Sequence, residues 1–282
     1  MFPAMATRSR TPAAADPATD TQPAHDPGLA ALLAPKDSTM VAVEKALLRG
    51  EGAHASPPVA EQIAARLAGL IALDLLPPGQ RLFETDISEM LRVSRAPVRE
   101  AIRILERDHL VELSARRGAA VTAPDARELQ DIFEVRVALF SILLEQVMKE
   151  RHADLLRVFG QHLPRLEKAA GETPQAFAVQ SFLFNLDVAD LCSNRLVVDQ
   201  LKAISLRTLR YVRLGLSAAP EAVTKAMGRW RTLHNAVVKG DTALAIECAT
   251  KRISAVRDLT VSALRKSRPA THEGRKRSTA AR

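Results

Sequence analysis

The sequence predicts a mainly α-helical protein in two parts: a three-helix unit closed by a two-stranded wing, then an antiparallel helical bundle. Three observations carry this. Apolar residues recur at helical spacing along most of the 282 residues. Between 110 and 122 that spacing gives way to two short apolar runs around a basic turn, which reads as a hairpin. After Pro124 the helical periodicity resumes, punctuated by Pro and Gly, and runs to about residue 265.

Taken in order, residues 1–28 (MFPAMATRSRTPAAADPATDTQPAHDPG) are rich in Pro and Ala and bury too little apolar surface to order themselves. Residues 29–33 and 40–48 hold helical periodicity, broken by Arg49-Gly50-Glu51-Gly52 and Ser56-Pro57-Pro58. Residues 1–56 are therefore predicted to be a mostly disordered arm with at most a transient helix. In 59–73, Ile63, Leu67, Leu70 and Ile71 form an i, i+4, i+7, i+8 stripe, ended by Pro77-Pro78-Gly79. A short helix follows at 83–91, and Ser94 opens another to about Asp108. Residues 110–113 and 119–122, flanking Arg116-Arg117-Gly118, form the wing. Three helices and a wing make a winged helix-turn-helix at 57–122. Six helices are expected at 125–149, 151–169, 174–192, 195–216, 220–239 and 241–265, a separate bundle domain over 125–265. The basic stretch 266–282 reads as a disordered tail.

Composition narrows the function. The formal charge is +8 and the pI near 9.9, which suits a polyanionic partner such as nucleic acid. One Trp and one Tyr are too few for the aromatic platforms that stack single-stranded bases. Cys192 and Cys248 stand far apart with no partner at metal-ligand spacing, which fits buried thiols in a reducing cytoplasm. No apolar run reaches the roughly 18 residues of a membrane span, and the N-terminus lacks a signal-peptide pattern. The expectation is a cytoplasmic protein with no membrane association and no cofactor. The chain shows no Gly-rich phosphate loop, nucleophile elbow or paired carboxylates, so it is not expected to be an enzyme.

The segment 93–107, VSRAPVREAIRILER, carries the most information. Ser94 stands at the N-cap position, leaving backbone N–H groups at the helix start facing outward, where they can hold a phosphate. Val98, Ile102 and Leu105 lie at i, i+4, i+7 and pack inward, while Arg95, Arg99 and Arg103 lie on another face. A helix entering the major groove needs this division, with guanidinium forks toward guanine edges or phosphates. A solvated arginine face paired by Glu100 and Glu106 is the alternative for this helix alone. The basic turn Arg116-Arg117-Gly118 immediately downstream favours DNA, at the phosphates or the minor groove.

Residues 77–121, PPGQRLFETDISEMLRVSRAPVREAIRILERDHLVELSARRGAAV, resemble the winged helix of the GntR family. The resemblance implies that Ser94, Arg95 and Arg99 touch bases or phosphates and that Gly118 lies at the minor groove. Two departures stand out: Thr85 replaces an Arg that contacts phosphate in some relatives, and Asp108-His109 replaces the usual Glu-Gly. The helices after 124 resemble the FCD effector domain of the FadR-type branch, in its VanR-like six-helix version. Many such domains hold a divalent metal with one Asp and three His. Aligned on that pattern, the ligand positions here are Ser181, Asn185, Trp230 and Arg252, which are not ligands for such an ion. The resemblance thus implies no metal. His234, His152 and His162 have no converging ligands.

Two readings of the bundle stand side by side. In one, Arg252 or Arg136 supplies the charge that recognises an acidic effector, with Ser181, Asn185, Trp230 and His234 completing the pocket. In the other the core is simply repacked. The expected protein is a homodimeric regulator, a repressor by resemblance, reading a palindromic operator in double-stranded DNA under control of a small-molecule effector. The alternative is a constitutive or architectural DNA binder with no ligand.

Overall fold

The computed structural model describes residues 27–34, 36–48, 57–114 and 118–267. The winged unit comprises α3 (Val59–Ala72), β1 (Arg81–Leu82), α4 (Glu84–Leu91), α5 (Arg95–Arg107), β2 (Val111–Ser114) and β3 (Gly118–Val121). The stripe Ile63, Leu67, Leu70 and Ile71 is buried, as its spacing requires. β3 is the central strand, pairing antiparallel with β2 from Val111↔Val121 to Ser114↔Gly118. Its other edge pairs with β1, Arg81 opposite Ala120. This third strand is an addition to the predicted hairpin, and two residues are too few to show a period-2 signal. His109 ends the turn after α5 with φ +55°, in the left-handed region where glycine is usual.

The second unit is six helices: α6 (Ala126–Glu150), α7 (His152–Glu172), α8 (Pro174–Ala189), α9 (Arg195–Ala218), α10 (Ala222–Val238) and α11 (Thr242–Ser267). Several of their starts are chemically specified. The Asp125 carboxylate accepts from the N–H groups of Arg127 and Glu128, Thr173 Oγ1 from Ala176 and Asn194 Oδ1 from Val197, as N-caps do. Helices α6, α9 and α11 pack mutually, with α8 against α9 and α10 against α11. At Gly215 a Cβ would lie 3.0 Å from Thr260 Cα, so glycine permits the close crossing of α9 and α11. α9 also touches α3 and so joins the two units.

The expectation of a disordered arm over 1–56 is corrected for part of its length. Residues 27–48 form α1 (Pro27–Ala30) and α2 (Ser38–Leu47), with Asp37 capping the start of α2. Leu29, Leu32, Met40, Val43 and Ala46 are buried, and α2 packs on α3 and α8. The buried Glu44 pairs at 3.0 Å with Arg66 of α3, whose other N–H groups donate to the Ala31 and Ala34 carbonyls. The partner that orders this segment is 22 residues away, outside any local window. The rest of the predicted arm, and the tail from 268, lie outside the described residues.

Candidate DNA-reading face and effector pocket

α5 has an apolar back and a basic front. Val98, Ala101, Ile102 and Leu105 are buried, and Arg95, Arg99 and Arg103 are exposed. Ser94 occupies the N-cap position with extended backbone (φ −70°, ψ 162°), but its hydroxyl makes no capping bond. Arg99 is engaged: its Nε donates to both Glu84 oxygens at 3.1 Å, and Nη2 donates to one of them at 3.0 Å. These hydrogen bonds and the carboxylate charge hold its pKa above the ordinary arginine value. Arg103 sits 3.7 Å from Glu100, one of the two partners expected, whereas Glu84 comes from the first turn of α4. Arg116 and Arg117 lie outside the described residues. Gly118 opens β3 with φ +73°, a conformation that glycine adopts without strain.

In the bundle, five of the six predicted effector residues line one cavity: Arg136, Ser181, Asn185, Trp230 and Arg252. They come from α6, α8, α10 and α11, and the cavity volume is about 40 Å³. The sixth, His234, is placed elsewhere, stacked on Phe159 with ring centroids 5.3 Å apart. Sequence reasoning did not single out Arg229, which also lines the cavity. Trp230 is clamped between two planar groups, with the Arg252 guanidinium 3.8 Å from its ring centroid and Phe184 stacked at 4.3 Å. Phe184 in turn stacks on His162, whose Nε2 is 2.7 Å from Asp187.

The two arginines are buried, at 7% and 5% exposure. Arg136 Nη1 donates to Thr208 Oγ1 at 3.1 Å, and Arg252 Nη2 donates to Asn185 Oδ1 at 3.0 Å. Both Nε groups, and Ser181 Oγ, are buried without a hydrogen-bond partner among the described residues. Desolvation lowers the Arg136 pKa to about 10. Desolvation, and then repulsion from Arg136, lowers that of Arg252 to about 9. Both remain protonated at neutral pH.

Residues 59–121 match the family model described as bacterial regulatory proteins, gntR family, and residues 131–255 match the FCD domain. The chain belongs to the GntR family. It is a DNA-binding transcription regulator, and its two-part architecture fits the FadR-type subfamily. Over 92 residues the GntR chain is 35% identical to the HTH-type transcriptional regulator YdhC of Bacillus subtilis, a match spanning 33% of this chain and 41% of that protein. It is 25% identical over 202 residues to the gluconate operon transcriptional repressor of the same organism, covering 70% of this chain and 83% of that one. A GntR-type regulator from Rhodococcus sp. RHA1 shares the fold, with a TM-score of 0.61 and 22% identity over 72% of this chain and 97% of that one. No helix among the described residues is long and apolar enough to cross a membrane.

The divalent metal of many FCD domains does not fit this GntR chain. A hydroxyl, an amide, an indole and a guanidinium occupy the positions its ligands would take, and a guanidinium has no lone pair to give. No group of three His, Cys, Asp or Glu side chains among the described residues could hold such an ion.

Proposed function

We propose that this regulator is a homodimeric repressor that reads a palindromic operator through α5 and its wing, and releases it when a small molecule enters the bundle cavity without a metal. The convergence of Arg136, Ser181, Asn185, Trp230 and Arg252 on one cavity carries the effector half of this reading. Support for repression is the extended similarity to a protein named as an operon repressor. A twofold dimer places two winged domains on half-sites of a short palindrome.

Ser94, Arg95, Arg99 and Arg103 form the reading face, with Arg116, Arg117 and Gly118 at the wing. α9 supplies the link between sites. It bears Thr208 and Leu209 at the cavity and meets α3 of the winged unit. An effector acts only through different affinities for the DNA-competent and released arrangements.

The test is operator selection from random DNA, followed by anisotropy titrations. Arg95→Ala and Arg99→Ala should each lose about tenfold or more in specific affinity. Unchanged affinity in both would remove α5 from the reading role. The small volume of the cavity favours one competing reading, a constitutive DNA binder. That reading predicts that no small molecule raises the melting temperature.

A further inference from the structure

The effector cavity carries more positive charge than its own walls can balance. Arg136, Arg229 and Arg252 line it, and no Asp or Glu does so among the described residues. Neither Arg136 nor Arg252 has a carboxylate within ion-pair distance among the described residues; each is tethered through one terminal nitrogen to a neutral oxygen. A buried charge ordinarily has an ionic partner, because leaving water costs several kcal/mol that only a close counter-charge offsets. Here two such charges face one space and repel each other, with orphaned N–H and O–H groups beside them.

The tethers explain why the arginines stay in place. Thr208 fixes Arg136 from α9, and Asn185 fixes Arg252 from α8, with Trp230 stacked on its face. Each guanidinium is thereby oriented with donors left over. Much of the remaining wall is apolar, including Phe133, Phe177, Phe182 and Leu209. A wall of this kind favours a carbon skeleton over a fully hydrated ion.

Resting on the effector-site reading above, we infer that the cavity binds a small organic dianion, two carboxylates on a short apolar body, one to each of Arg136 and Arg252. Two single charges built into the chain then stand where metal-bearing relatives have a dication. Guanidinium and carboxylate match as two parallel N–H···O bonds, which adds direction to the charge pairing. A monoanion satisfies one arginine and leaves the other uncompensated. Ser181 Oγ, buried and unpartnered, is a further donor toward the same ligand.

The chain's only tryptophan lies against Arg252, so binding is read directly. The full-length protein is titrated with malonate, succinate and glutarate, with acetate, propionate and butyrate as monoanions, and with inorganic phosphate. Trp230 fluorescence and thermal unfolding are followed. At least one dicarboxylate should bind about tenfold more tightly than its monocarboxylate counterpart and than phosphate. Arg136→Met and Arg252→Met should each abolish that preference while retaining the wild-type circular dichroism; Arg252→Lys should restore part of the ligand affinity. Equal binding of mono- and dicarboxylates, tighter binding of phosphate, no response to any of the dicarboxylates, or an undiminished preference in both Met variants would each overturn the inference. DNA binding measured on the ligand-free wild type separates the outcomes: its absence counts against the regulator reading and leaves the dicarboxylate preference standing.

Discussion

Arg210 of the bundle helix α9 is ion-paired with Asp74, which ends the first helix of the winged unit. Arg210 is buried, and its Nη1 also reaches the Leu76 carbonyl at 3.5 Å. Asp74 further offsets Arg213, whose pKa burial lowers and the nearby carboxylate raises. One carboxylate therefore pairs with Arg210 and offsets the charge of Arg213 at the junction, with Arg210 two residues along α9 from the Thr208 that anchors Arg136.

Asp74→Asn isolates the charge, since Asn tolerates the φ of +65° that Asp74 adopts. The exposed carboxylate limits the effect, and a loss of about 1 kcal/mol in urea unfolding is expected. That loss should shrink in high salt. An unchanged midpoint at low salt would show that the pair contributes nothing at the junction.

If α5 reads DNA as proposed, Glu84 and DNA compete for Arg99. Glu84→Gln should free the guanidinium, raise nonspecific DNA affinity and steepen the salt dependence by about one counterion. Anisotropy titrations across a salt series measure both. A flatter slope in the variant would mean that Glu84 positions Arg99 for DNA rather than withholding it.

Arg252 should be costly to stability. Its native pKa is lowered to about 9, well below the ordinary arginine value, so the unfolded chain holds that proton more tightly than the folded one. The penalty is complete below about pH 9 and lifts as the pH rises from there toward the ordinary arginine range. Arg252→Met should therefore be more stable than the wild type by about 1–2 kcal/mol at neutral pH. The advantage should narrow at about pH 10.5. Denaturant titrations at the two pH values decide it; a less stable variant at neutral pH would show that the Asn185 and Trp230 contacts outweigh burial.

His109 holds a left-handed conformation, its N–H donating to the Glu106 carbonyl and its own carbonyl accepting from the Thr122 hydroxyl. His109→Gly should remove the Cβ clash at an entropic cost to the unfolded chain, a net gain of about 0.5–1 kcal/mol. A thermal melt of the variant that falls below the wild type would contradict this.

The winged unit was legible because its signals are local. The Val98, Ile102, Leu105 spacing, the Pro77-Pro78-Gly79 stop and the basic turn each act within a few residues. The six bundle helices were equally legible, most of their boundaries marked by a capping residue, Pro or Gly. What escaped depends on distant partners. Arg66 folds α2 back from 22 positions away, β1 exists only because β3 offers an edge, and Glu84 reaches Arg99 across the turn. In the cavity, five residues found through a family resemblance converge, while His234 stacks on Phe159 instead. Arg229 carries no sequence signal distinguishing it from a surface arginine.

Were α5 to read DNA as proposed, the Glu84–Arg99 pair would give the protein a resting posture while it searches DNA. On a stretch of DNA with no suitable acceptor, the guanidinium would fall back on its own carboxylate, and the complex would shed one phosphate grip. Dwell time at wrong sites would shorten, and the search for the operator would quicken. On that reading, Arg99 would leave Glu84 only where a guanine edge or a well-placed phosphate outbids it, and one side chain would weigh on the choice between moving on and stopping.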